Sequence, residues 1–314
     1  MADVYKLKQL GLSLLFLWCI LTPSQAQLLW KISGNNCKES YVFGTHHLIP
    51  SNQVQSVKGL EEAFNKSTLI VGELSIEELL DPTAITYMSQ AMVAPSDSLL
   101  SSLLAEEDLQ IIRDLDEAYP NEQMPLLPIM DYFTPTAIST IISNNLTQSV
   151  MRKLFPDETS EAGIDLIFQE KAREDKKQIR GLESLQFQAD LLYKSGSILE
   201  SAKELRETLS CLQRHLDFAL AEIELLTQNY LEQDLAGMYE QAMSSDTRCS
   251  VMQVKEEDWT RLVDRRNLSW IPLIESFITD KPTFIAVGAL HLPGKQGLIE
   301  LLRQKGYTVE PVSL

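Results

Sequence analysis

Two apolar runs near opposite ends of the chain stop in the same way. "YVFGTHH" (residues 41–47) and "TFIAVGALH" (283–291) each pass from strand-like residues to a glycine and, three positions later, to a histidine. A run apolar throughout reads as a central strand buried on both faces, which commits the chain to a layered arrangement with helices over a sheet. Chemistry in such sheets gathers at the carboxyl ends of the strands. Glycine there permits a sharp exit or a close backbone approach, and the histidine that follows can point back over the strand end. Two copies can bring two imidazoles to one point. The repetition carries weight because the chain has only four histidines: His46, His47, His215 and His291.

The pattern between these ends is mixed. "LLWKIS" and "ESYVFG" flank Gly34-Asn35-Asn36 and read as a hairpin. A helix is expected over Val54–Asn65, then a buried strand in "STLIVGEL" (67–74). Residues 101–119 repeat apolar positions at three- and four-residue spacing, as an amphipathic helix does. Four prolines between Pro120 and Pro135 mark a connector. A helix over 161–177, a short strand in "QIRGLES" ending near Glu183, and long charged helices from Ile198 to about Met243 follow. The end alternates again: "SWIPLIESFIT" as helix, "TFIAVG" as strand, a helix closed by Gly306, and "YTVEPV" as strand. The helical stretches at about 84–160 and 198–260 read as a cap beside the sheet.

Lys6 and Lys8, the apolar stretch Leu10–Leu21 and "SQA" before residue 27 form the pattern of a signal peptide over residues 1–26. The expectation is an exported protein, periplasmic or secreted, with no integral membrane span after cleavage. The remaining part, from Gln27, has 25 basic and 43 acidic side chains. Such a surface repels phosphate backbones and excludes nucleic acid as a natural partner. Cys37, Cys211 and Cys249 remain, enough for one internal disulfide and one free thiol, with the pairing open. No CxxC, HExxH, GxSxG or phosphate-loop spacing occurs.

Neutral imidazole with a carboxylate suits first-row divalent ions. Candidate carboxylates are Glu73 in "LIVGEL" and Glu183 in "IRGLES", acids just after apolar runs where an unpaired charge is costly to bury. His215 and "DRRNLSW" (264–270), with Arg265, Arg266 and Asn267, read most simply as solvated helix; Trp30, Trp259 and Trp270 read as core anchors. Asn65, Asn145 and Asn267 head glycosylation sequons.

Three ordered blocks carry a family resemblance: "LLWKI…YVFGTHHL", "GIDLIF…GLESLQFQ" and "RRNLSWI…TFIAVGALHLPGKQGLIELLRQKGYTVEPV". In these the chain resembles the TraB/GumN (PrgY) family, which is related to the Tiki Wnt-inactivating proteases. The resemblance implies one domain over residues 27–314. Its fold would be mixed α/β and erythromycin-esterase/ChaN-like, with a central sheet from two related halves and a large helical insertion. It implies a metal-dependent peptidase-like hydrolase acting on a peptide or protein segment. His47, His291 and Glu73 would be the metal set, and manganese or cobalt, rather than zinc, the ion. Glu73, Glu183 and Arg266 would be the catalytic candidates. A non-catalytic peptide- or ligand-sequestering protein on the same scaffold, or a metal-free esterase, is the alternative.

Overall fold

The structure, a computed structural model, describes residues 27–121, 125–157, 163–244 and 255–312. The expected signal peptide and Cys249 lie outside these. Strands β1 (Leu29–Ser33) and β2 (Ser40–Thr45) form the expected hairpin. Gly34, Asn35 and Asn36 all turn through positive φ (81°, 46° and 59°), a conformation that glycine and asparagine tolerate best. The helix expected over 54–65 is broken in two. A 3₁₀ turn covers Ser51–Ser56, Gly59 adopts φ 76°, and α1 begins only at Leu60, running to Lys66. A left-handed residue cannot continue a right-handed helix.

Strand β3 (Leu69–Gly72) leads into α2 (Ile76–Leu80) and α3 (Pro82–Met92). The single helix expected over 101–119 divides into α4 (Leu100–Leu103) and α5 (Glu106–Ala118). Leu104 between them is extended and buried, so its side chain takes the core at the expense of helical continuity. No glycine or proline marks that break. Next come α6 (Pro135–Leu154), α7 (Ile164–Glu174), β4 (Gln178–Gly181) and α8 (Leu185–Tyr193). The long helix α9 (Ile198–Leu231) opens on a Ser197/Glu200 capping box and bends at the exposed His215. After α10 (Leu235–Ala242) and α11 (Glu256–Trp259), a π-helical turn at Thr260–Asp264 runs into α12 (Arg265–Asp280). Strand β5 (Thr283–Gly288), α13 (Leu298–Gln304) and β6 (Thr308–Pro311) complete the described chain.

The fold is mixed α/β, with one six-stranded mixed sheet in the order β4-β3-β5-β2-β1-β6. Strands β4, β3, β5 and β2 are parallel to one another, and β1 and β6 are joined on antiparallel. The last of the parallel strands, β5, inserts between β3 and β2. Phe43 of β2, Phe284 of β5, Phe64 of α1 and Phe168 of α7 pack ring on ring at centroid distances of 4.9–6.2 Å. This aromatic cluster fixes α1 and α7 to the sheet and so fixes the level of the strand ends.

Cys37 is a free thiol, and Cys211 is disulfide-bonded. Of the three sequons, Asn145 and Asn267 are buried and Asn65 is exposed. No helix among the described residues is long and apolar enough to cross a membrane.

Candidate functional site

Each parallel strand carries glycine at or next to its carboxyl end: Gly181 in β4, Gly72 in β3, Gly288 in β5 and Gly44 in β2. At Gly72 the requirement is steric. A Cβ there would stand 2.5 Å from Gln169 Nε2 and 2.7 Å from the Leu74 carbonyl. Gln169, itself buried, donates to that carbonyl and accepts from the Ile76 N–H, which holds the β3–α2 turn shut. The residues just past the four glycines are Glu183, Glu73, His291 and His47, in the order in which the strands lie.

Glu73, Glu183, Arg266 and His291 come together. The Arg266 guanidinium donates through Nε and Nη2 to Glu183 and through Nη2 to Glu73 Oε2 at 2.5 Å. Its Nη1 contacts His291 Nε2 at 3.1 Å and donates to the Leu262 carbonyl in the π-helical turn. Trp270 Nε1 donates to Glu183, its indole lies beside Arg266, and its ring centroid is 4.5 Å from that of His291. Gln188 of α8 spans the two acids, 2.7 Å from Glu183 and 3.3 Å from Glu73. The reading of 264–270 as solvated helix is therefore corrected for two residues: Arg266 is 9% and Asn267 0% exposed. The π turn sets the start of α12 so that Arg266 and Asn267 face the sheet edge, a local irregularity often found at functional sites. Trp270 is both core anchor and donor.

Asn267 fixes the tautomer of His291. Its Nδ2 donates to the carbonyls of His291 (3.1 Å) and Gln296 (2.8 Å), so its Oδ1 is the acceptor that faces His291 Nδ1 at 2.7 Å. The proton therefore sits on Nδ1, and Nε2 turns its lone pair into the cluster. Burial pushes the His291 imidazolium down to a pKa of about 4, with nearby Arg266 adding to the effect, so the ring is neutral at pH 7. Burial alone would raise the carboxyl of Glu73; attraction to His291, which is charged in the acid range where Glu73 titrates, and to Arg266 and His47, with the Gly288 N–H at 2.9 Å, instead holds it down at about 2.

His47 lines the same cavity as Glu73 and Arg266, on its exposed side. His46 packs its ring against Tyr230 and accepts from the Leu48 N–H, a turn-stabilising role. His215 is exposed at the bend of α9. Gln188, Gln169 and Trp270 were not legible as site residues. The available signal was a glutamine five positions after Glu183, at the spacing that returns a helix to the strand end it follows.

The donor set suits a divalent cation in part. His291 Nε2 and Glu73 Oε1 are 3.8 Å apart. Two donors about 2.1 Å from one ion stand about 3–4 Å apart. The formal charges of Glu73, Glu183 and Arg266 sum to minus one, which favours a cation, and Asn267 orients the imidazole as outer partners of metal-bound histidines do. Among the described residues, however, no three His, Cys, Asp or Glu groups form a metal-holding set, and Arg266 covers the lone pair.

Fold and cluster together define an α/β protein with a buried acid–arginine–histidine site at the carboxyl edge of a parallel sheet. Residues 28–311 match the model of the TraB/PrgY/gumN family, and the chain belongs to that family. It is similar to "Metalloprotease TIKI1" of Danio rerio, 23% identical over 316 aligned positions covering 90% of this chain and 62% of that protein. It is also similar to "Metalloprotease TIKI2" of Danio rerio, 22% identical over 305 positions covering 86% and 58%. The chain thus spans about three-fifths of the length of these relatives. No solved structure matches it significantly.

Proposed function

We propose that this chain is an exported, metal-dependent peptidase-like hydrolase. The observation that carries the reading is the juxtaposition of His291 Nε2 and Glu73 at adjacent strand ends, with Asn267 holding the imidazole in the metal-ready tautomer. His291 and Glu73 would hold the ion, and His47, which lines the same cavity as Glu73, would complete the set. A divalent ion bound there supplies Lewis acidity to a scissile carbonyl and to the attacking water. Manganese or cobalt is the expected metal. The proposal requires Arg266 to turn its Nη1 from His291 toward the substrate, where it would stabilise charge developing on the carbonyl oxygen. Glu183 and Trp270 hold the guanidinium on its other side, and Gln188 donates across the two acids and keeps them in place. Helices from 84–160 and 198–260 would act as a cap that admits flexible segments rather than folded surfaces. The side-by-side Gly-x-x-His strands β2 and β5 support the reading of the sheet as two related halves. The name of the two zebrafish relatives supports the same class.

Elemental analysis of purified protein beside the His47→Ala/His291→Ala double variant tests the site. The expected result is about one equivalent of metal in the first and none in the second; equal content in both removes the proposed site. Cleavage of unstructured peptides should stop with chelator and return with manganese or cobalt.

One observation favours a second reading. The cluster is already satisfied without an ion, because Arg266 closes the lone pair of His291. A sequestering protein or metal-free esterase would use it in that form. Peptide retention that survives the double variant, or full ester turnover by metal-free protein, would favour it over the first.

A further inference from the structure

The cavity beside the cluster holds about 440 Å³ and is lined by two unlike sets of side chains. The polar set is His47, Glu73, Gln169, Gln188 and Arg266. The other is built from Leu74, Leu79, Leu166, Leu191 and Leu192, supplied by the β3–α2 turn and by α2, α7 and α8. Leucines arriving from four separate places are not the by-product of one amphipathic helix. Leu79, Leu166 and Leu191 are only part-buried and Leu192 is 38% exposed, so apolar surface faces the solvent-filled space.

We infer that these leucines form a specificity subsite that takes one large apolar side chain, leucine, methionine or phenylalanine, beside the bond the cluster acts on; the inference rests on the proposed function. The volume lies at the small end of the range of about 300–1,000 Å³ for ligand sites, suited to one side chain and its peptide group. Charged side chains are disfavoured on physical grounds. Glu73 and Arg266 are the charged lining residues, and they are bonded to each other. A lysine or glutamate entering past them would lose its water without gaining a partner. Apolar pockets discriminate modestly, by about 10- to 200-fold.

The test uses fluorescent ten-residue Ser/Gly peptides, each with one central variable residue: Leu, Met, Phe, Ser, Glu or Lys. Binding is read by anisotropy in chelator, where no turnover is expected, and cleavage separately with manganese or cobalt. The Leu, Met and Phe peptides should bind at least about tenfold more tightly than the Ser, Glu and Lys peptides. The Leu191→Ser/Leu192→Ser variant, altered where the side chains are incompletely buried, should reduce that ratio to about threefold or less while its thermal melt stays cooperative. Equal binding of all peptides, preference for a charged one, or no binding of any would overturn the inference. An unfolded double variant leaves the wild-type ratio to decide. Apolar-selective binding without cleavage under either metal would uphold the subsite and sink the hydrolase reading.

Discussion

Asn267 shows how one amide decides the chemistry of a neighbouring ring. Both of its N–H groups are committed to carbonyls, so its oxygen dictates which nitrogen of His291 carries the proton. Asn267→Ala should release that constraint. Nitrogen-15 NMR should show the Nδ1-protonated form of His291 giving way to a mixture, and any metal affinity or cleavage should fall about 10- to 100-fold. Glu183 tests the cluster from the other side. Its side chain is 6% exposed and receives Arg266, Trp270 and Gln188 together. Glu183→Gln keeps the volume and removes the charge, and breaking one partner from a buried pair costs about 3–5 kcal/mol. Arg266 retains Glu73, so urea unfolding should show a loss near the lower end of that range.

At the level of elements, the strand-end glycines divide into two kinds. Gly72→Ala would drive a methyl into the amide of Gln169, which is tied at both ends and cannot yield. A loss of about 1–3 kcal/mol in thermal or urea unfolding is expected. Gly288→Ala meets Glu73 Oε1 at 3.3 Å and His291 Cδ2 at 3.5 Å, so it should disturb the site while leaving the melting temperature nearly unchanged; metal content and peptide cleavage report it. These strands were legible in the sequence because an apolar run with glycine and a polar residue at its end is a local signal. The acids and histidines at their ends were legible for the same reason. The burial of Arg266 and Asn267 was not. Their segment is polar by composition, and only the π-helical turn and the distant partners Glu73, Glu183 and His291 make it an interior surface. The break at Leu104 was equally hidden, since burial of a leucine, not a helix-breaking residue, ends α4.

For the whole molecule, the buried cluster ties stability to pH. Folding lowers the His291 pKa from 6.5 to about 4 and that of Glu73 from 4.5 to about 2. In both cases the unfolded chain binds more protons, so the contribution is present above the unfolded value and is lost on acidification. His291 should therefore erode stability as pH falls from about 6.5 to 4, and Glu73 from about 4.5 to 2. Melting curves in chelator should drop across the upper window, and His291→Gln should flatten that part of the profile. A bond from α9 also reaches the strand end beside this centre. The Tyr230 hydroxyl, at the far end of the 34-residue α9, donates to the Gly44 carbonyl one residue from the end of β2. The part of α9 after its bend is therefore tied to the strand end from which the chain runs on to His47. Tyr230→Phe would cut this tether, and amide hydrogen exchange should quicken at Thr45–Leu48 ahead of the sheet interior.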